Sequence, residues 1–262
     1  MRDMKTILYY DEEGEKNKNI ILFLHSKNLA NLVFDEQRNF FKKYHCIYLN
    51  LPNHYKNPKN SIFTIKKASE NIKDFIKPKK KGEINLIGIG LGGQIAIELL
   101  SNYPELINKV IISGVETIDN EEWKSKKDSI INILDKTKDI LDSKNVEFLT
   151  LAYLRYFNMK KSYYKKIFKC FEKESLENTK NISYESFNYR LNLHPKDPSR
   201  EILICYGTKE DKRCKSSAYD IKSVFMNSII MEVYKGVHLW NMKKGELFNQ
   251  IALDYFNNRE LI

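Results

Sequence analysis

The sequence predicts an α/β fold: a mostly parallel central sheet flanked by helices and interrupted by an all-helical insertion. Three observations carry this reading. Short apolar runs alternate with amphipathic stretches from residue 19 to 114. Over 116–197 there is no convincing strand, and the apolar periodicity is helical. The strand–helix rhythm then returns over 201–256. Such alternation implies parallel strands joined by right-handed crossovers. The chain divides into a first core part at 1–115, a helical cap at 116–200 and a second core part at 201–262.

Residues 4–10 and 19–25 flank the polar turn 11–18 and read as two strands of a hairpin. Ile20-Ile21-Leu22-Phe23-Leu24 is apolar throughout, as in a strand buried on both faces. It ends in the polar loop His25-Ser26-Lys27-Asn28. A helix around 33–43, a strand at 45–49 and the loop Asn50-Leu51-Pro52-Asn53-His54 follow. Ile62, Ile65, Ala68, Ile72 and Phe75 predict a helix over about 61–76.

Ile84-Asn85-Leu86-Ile87-Gly88-Ile89 is a short apolar run closed by glycines, and Gln94-Ile95-Ala96-Ile97-Glu98-Leu99-Leu100 opens a helix. A buried strand follows at 109–114. In the insertion, helical periodicity centres on 130–141, 146–157, 163–171 and 184–191. Strands at 201–206 and 228–234 alternate with helices at 216–225 and 247–256.

Composition excludes some classes of function. The chain of 262 residues is 42% hydrophobic, enough for a full core. No apolar run approaches the ~20 residues of a membrane span, and Met1-Arg2-Asp3-Met4-Lys5 lacks the core of a signal peptide. A soluble, cytoplasmic protein with no membrane partner is the expectation. The net charge of +10 is nearly all lysine, spread along the chain. The densest run, Lys77-Pro78-Lys79-Lys80-Lys81, has no interleaved aromatics for base stacking, so it reads as a solvated loop and not a nucleic-acid site. Cys46, Cys170, Cys205 and Cys214 form no C-x-x-C pair, so neither a disulfide framework nor a metal site is expected.

Strand, tight turn and helix over 84–100 form the setting of a nucleophile elbow, G-x-S-x-G. The frame Gly88-x-x-x-Gly92 is intact, but the serine position holds Gly90. Other motifs accompany it in order: His25-Ser26, Asn50-Leu51-Pro52-Asn53-His54, Gly207-Thr208-Lys209-Glu210 and Gly236-Val237-His238. With the helical insertion between Gly114 and Glu201, this chain resembles the α/β-hydrolase superfamily over nearly its whole length. His25-Ser26 resembles the His-Gly of the family's oxyanion loop, with serine replacing glycine. Residues 50–54 resemble its Asp-Leu-Pro-Gly-His, again with substitutions.

The resemblance implies hydrolysis of a small, partly apolar ester, thioester or amide without a cofactor. It makes His238 the general base and Glu210 or Asp211 its orienting acid. Glu116, just past the strand that ends at Gly114, is a third candidate acid. The oxyanion donors would be the backbone N–H groups of Lys27 and Leu91, with Ser26 and Asn28 lining the same pocket. Aromatics of the cap (Trp123, Phe148, Tyr153, Tyr156, Phe157, Tyr163, Tyr164 and Phe168) mostly pack it against the core. Any that face the elbow would line an apolar pocket for a small-molecule substrate or ligand.

Gly90 makes an inactive chain, or an engineered inactive form of a serine hydrolase, the leading expectation; the alternatives are a natural pseudoenzyme that binds a ligand or regulates, and acid/base chemistry by His238 alone. Glycine is comfortable there, because the elbow conformation strains other residues by ~1–3 kcal/mol. Loss of the nucleophile in such triads leaves roughly 10³–10⁴-fold catalysis over water. Ser113 is expected to be packed or hydrogen-bonded at its strand end. Cys214 has no motif behind it. Gly88-x-Gly90-x-x-Gly93 also satisfies a dinucleotide fingerprint. That reading wants an acid at the end of the next strand, which here is Ser113-Gly114.

Overall fold

Alternate residues of one strand show how the sheet is built. Along β2 (Ile20–Leu24), Ile20, Leu22 and Leu24 join one apolar cluster, and Ile21 and Phe23 join a second. A strand with no polar face must be covered on both sides, which is why this run is apolar throughout. Phe23 illustrates the packing. Its ring stacks on Tyr48 at 4.5 Å and tilts against Phe34 at 5.0 Å. Burying such a side chain contributes roughly 1.5–3 kcal/mol.

The computed structural model describes residues 8–59, 62–117, 143–156 and 159–261. The other strands are β1 (Tyr10–Glu13), β3 (His45–Leu49), β4 (Ile84–Ile89), β5 (Val110–Ser113), β6 (Ile202–Gly207) and β7 (Ile229–Val233). Together they form a seven-stranded sheet in the order β1-β3-β2-β4-β5-β6-β7. Every pairing is parallel except β1 with β3. The α/β fold with a mostly parallel sheet is therefore the one the sequence predicts.

The predicted hairpin is corrected. β1 occupies 10–13, and it pairs antiparallel with β3 at the sheet edge. β2 has β3 on one side and β4 on the other, so it has no free edge for β1. The turn is real, but its two strands straddle β3. Residues 4–7 of the predicted first strand lie outside the described residues.

One face of the sheet carries α2 (Ile65–Ile76), α3 (Leu91–Asn102) and α7 (Lys212–Val224), which supply Ile72, Ile95 and Ile221 to the first cluster. The other face carries α1 (Asp35–Phe41), α8 (Trp240–Lys243) and α9 (Gly245–Phe256), with Phe41, Trp240 and Phe248 in the second. Two of these helices start where a capping side chain, and not the apolar periodicity, puts them. Thr64 accepts from Lys67 N–H and starts α2 at residue 65, which leaves Ile62 exposed outside the helix. Asp211 caps α7, so that helix begins at 212 rather than 216. A capping oxygen decides the first turn where apolar spacing alone does not.

Between β5 and β6 the described elements are helical: α4 (Ser143–Tyr156), α5 (Tyr164–Glu172) and α6 (Leu176–Phe187). The helix read at 184–191 is the end of α6, displaced because Ser175 caps it upstream and accepts from Asn178 N–H. Trp123, Phe157 and the helix read at 130–141 lie outside the described residues. Tyr163 is buried and donates to Glu36, and Tyr153 packs edge-on against Phe171, whereas Phe148 is exposed. No helix among the described residues is long and apolar enough to cross a membrane.

One buried contact ties the last loop to the sheet. Trp240, at the start of α8, donates its indole N–H to Ser113 Oγ at the end of β5, at 2.7 Å. Ser113→Ala would leave that indole N–H unpaired. The expected loss is about 1–3 kcal/mol, seen as a melting temperature several degrees lower by calorimetry. An unchanged melting temperature would show that the contact does not hold the loop.

Candidate active site

In a parallel sheet all the strands deliver their loops to one edge, and a site assembles there. The register Leu24↔Gly88 and Ile89↔Ser113 sets His25-Ser26, Gly90 and Ser113-Gly114 side by side. Gly90 N–H donates to Ser113 O, and Gly92 N–H donates to His25 O. The loops after β6 and β7 complete the group with Glu210 and His238.

Gly90 lies at φ +54, ψ −115, between β4 and α3. That is the sharp turn of an elbow, in a region that disfavours side chains. An ideal Cβ built there would stand 2.8 Å from Ser26 Oγ and 3.0 Å from His238 Nε2. The elbow therefore points at the histidine, and the hydroxyl of Ser26 already fills the neighbouring space.

His238 is held from both sides. Its Nδ1 lies 3.2 Å from Glu210 Oε1, and its Nε2 lies 3.0 Å from Ser26 Oγ. A carboxylate only accepts, so the ring carries its proton on Nδ1 and Nε2 accepts from the serine hydroxyl. Glu210 is fixed in turn, with Oε2 accepting from Gly207 N–H at 2.6 Å. The Glu210 side chain is 2% exposed and the His238 side chain 26%, so the pair opens toward solvent on the histidine side.

The other candidate acids face elsewhere. Asp211 accepts from Arg213, through both its backbone N–H and its guanidinium. Glu116 pairs with Arg213 at 2.9 Å. Cys214 is buried beside Glu116 and Glu210, and desolvation pushes its thiol far above the ordinary range. Ser113 is engaged with Trp240.

The loop after β2 is preorganised. Leu51 N–H donates to His25 Nε2 at 2.9 Å, so the protonated Nδ1 of His25 donates to Ser26 O at 2.8 Å. Burial holds His25 neutral by lowering its pKa well below normal. His54 stands edge-on to His25 at 5.1 Å and donates through Nδ1 to Pro52 O. Desolvation brings its pKa down to about 4. Asn28 adopts φ +59, and its buried Oδ1 has no partner among the described residues.

Lys27 Nζ lies 3.8 Å above the ring of Phe187, at the end of α6. Desolvation lowers its pKa to about 8, against the opposing pull of Glu116. Gln94 and Ser186 bond each other and fix α6 over α3. Leu91 N–H is in the first turn of α3, where amides have no acceptor within the helix. Sequence reasoning did not single out Phe187, and it placed Ser26 in the pocket lining without linking it to His238. A signal for that link existed in the serine at 26 paired with the glycine at 90.

The model of the α/β hydrolase fold family matches residues 20–199. A search of curated proteins finds no match. An esterase from Exiguobacterium antarcticum is similar in structure at 17% identity and TM-score 0.80, covering 95% of each chain. A bromoperoxidase from Bacillus anthracis gives 17% identity and 0.79, again covering 95% of each. An epoxide hydrolase from Bacillus megaterium gives 15% and 0.79, covering 95% of this chain and 96% of the other. At such identities these likenesses establish the fold.

Gly114 sits at φ +60, and a Cβ there would meet Glu210 Oε1 at 2.5 Å and His238 Nδ1 at 2.6 Å. Gly114→Ala should therefore strain the backbone by about 1–3 kcal/mol and split the pair. The Nδ1 proton resonance of His238 should shift or vanish; a spectrum like wild type sinks the assignment.

A histidine with a depressed folded pKa stabilises fully above its unfolded value of about 6.5 and loses that stability as pH falls. For His54, falling to about 4, the loss is on the order of 3 kcal/mol, and His25 adds to it in the same direction. Urea midpoints measured from pH 7.5 to 4.5 should fall, and less steeply in His54→Asn. Parallel curves for the two proteins would rule His54 out.

Proposed function

The chain belongs to the α/β-hydrolase fold family, and from that premise we propose that it hydrolyses a carboxylic ester, thioester or amide of a small, partly apolar compound, with His238 as general base and Glu210 as its orienting acid. One observation carries the reading. His238 is bonded to a buried carboxylate through Nδ1 and to a hydroxyl through Nε2. An imidazole so placed takes a proton from the attacking oxygen and returns it to the leaving group. Glu210 sets the tautomer and stabilises the imidazolium that forms.

The negative charge that builds on the carbonyl oxygen calls for donors fixed in advance. Leu91 N–H and Lys27 N–H fill that role in this reading. Phe187 and the stem of Lys27 supply an apolar wall for the acyl or aryl group, and the substrate enters beneath the helical cap. A small-molecule partner, and not nucleic acid, suits the charge distribution. In the basic run 77–81, Lys79 bonds Glu12 at 3.0 Å, and Lys80 donates to the carbonyls of Glu105 and Leu106.

Gly90 removes the elbow nucleophile but leaves the proton-transfer pair in place. The chain is therefore expected to hydrolyse p-nitrophenyl acetate or butyrate. His238→Ala should lower kcat/KM by about 10²–10⁴-fold, and Glu210→Gln should lower it in the same direction. If wild type turns over no ester, thioester or anilide while a folded Gly90→Ser variant does, the chain is an inactive form of the enzyme. If both are inert and the chain binds a small ligand tightly, it is a pseudoenzyme.

A further inference from the structure

His238 has a hydroxyl to activate, and that hydroxyl is not at the elbow. We propose that Ser26 is the nucleophile of this site, so that the attacking oxygen comes from the loop after β2 and not from the turn after β4. The inference rests on the hydrolase reading above and names the group that carries the acyl intermediate.

Position is the first ground. Ser26 Oγ lies 3.0 Å from His238 Nε2, and His238 Nδ1 lies 3.2 Å from Glu210 Oε1. Hydroxyl, imidazole and carboxylate thus stand in line at the distances a nucleophile, its base and an orienter require. Exclusion is the second. A Cβ on residue 90 would stand 2.8 Å from Ser26 Oγ, closer than unshifted side chains approach. A side chain at 90 and the Ser26 hydroxyl cannot both keep these positions. The motifs show the same trade, with serine at the oxyanion-loop position usually held by glycine, and glycine at the elbow position usually held by serine.

Preorganisation is the third. Ser26 is 2% exposed, and its carbonyl is fixed by His25, whose ring is fixed by Leu51 N–H. A nucleophile held in this way loses little further freedom on reaction. Two other candidate nucleophiles among the described residues, Ser113 and Cys214, are occupied or disarmed. Ser113 Oγ accepts from Trp240, and burial suppresses the thiolate of Cys214.

The step balances without any co-reactant beyond water. His238 Nε2 takes the Ser26 proton as Oγ bonds the acyl carbon, and the resulting oxyanion turns to Leu91 N–H. The carbon–leaving-group bond breaks, and Nε2–H protonates the departing alkoxide, thiolate or amine. Water then attacks the acyl-Ser26 ester, giving its proton to Nε2. The bond to Oγ breaks, Oγ recovers a proton from Nε2, and the carboxylic acid leaves.

The test is to treat the full chain with a fluorophosphonate and map the adduct by mass spectrometry, alongside p-nitrophenyl butyrate kinetics. The adduct is expected on the Ser26 peptide, absent in Ser26→Ala and strongly slowed in His238→Ala. Turnover should fall about 100-fold or more in Ser26→Ala. Ser26→Cys guards against a folding artefact: the introduced thiol should react with iodoacetamide faster than it does in the Ser26→Cys/His238→Ala double variant. In Ser26→Gly/Gly90→Ser the adduct should move to residue 90. An adduct elsewhere overturns the proposal. So does turnover that survives in Ser26→Ala and is lost in His238→Ala, which leaves the hydrolase reading standing with water as the attacker. A wild-type chain with neither adduct nor turnover defeats the hydrolase reading, and this inference with it.

Discussion

The Ser26 hydroxyl and the position a side chain at residue 90 would take meet beside His238 Nε2. A Cβ at Gly90 and the Oγ of Ser26 approach that nitrogen from two loops, and at 2.8 Å apart one of them would have to shift. Much of the site is arranged around this limit. The elbow turn keeps its sharp φ of +54 because glycine accepts it without strain. Gly114, also at positive φ, leaves the room that Glu210 and His238 need to meet.

The sheet makes such close approach possible. β2, β4 and β5 are buried on both faces, so a shift in register would disturb close packing on both sides of the sheet. Ser26, Gly90 and Gly114 each follow one of these strands by one or two residues, and they inherit its rigidity. The histidine loop comes from β7 at the sheet edge, and the Trp240–Ser113 bond ties it back to the interior. Polar groups at this edge are matched in series: Leu51 to His25, His25 to Ser26, Ser26 to His238, His238 to Glu210, and Glu210 to Gly207. Leu51 N–H sets the tautomer of His25 and Glu210 sets that of His238, while Ser26 accepts through its carbonyl from the first ring and donates through its hydroxyl to the second.

The fold was legible because burial on both faces writes itself into composition. Ile20–Leu24 and Ile84–Ile89 contain almost no polar residue, and their glycine and polar endings mark the loops. What was misread depended on partners distant in sequence. The hairpin failed because β3 inserts between β1 and β2, a choice made by strand edges that no local pattern records. Helix starts moved where Thr64, Ser175 or Asp211 captured a backbone N–H. Of the three candidate carboxylates, spacing left the choice open. Arg213 engages Asp211 and Glu116, and Glu210 is left facing the histidine.

The sequence by itself determined the sheet class and the loops that bear Ser26, Gly90, Glu210 and His238. It did so because apolar runs and glycines report local burial and backbone demands. Only the tertiary structure decided which of these groups meet. Ser26 and His238 are 212 residues apart, and nothing in local composition tells a serine that lines a pocket from one bonded to this histidine. That distinction comes from the parallel register, which brings separate strand ends to within one hydrogen bond of each other. It is also why a serine at 26 and a glycine at 90, both visible in the sequence, become neighbours only in the fold.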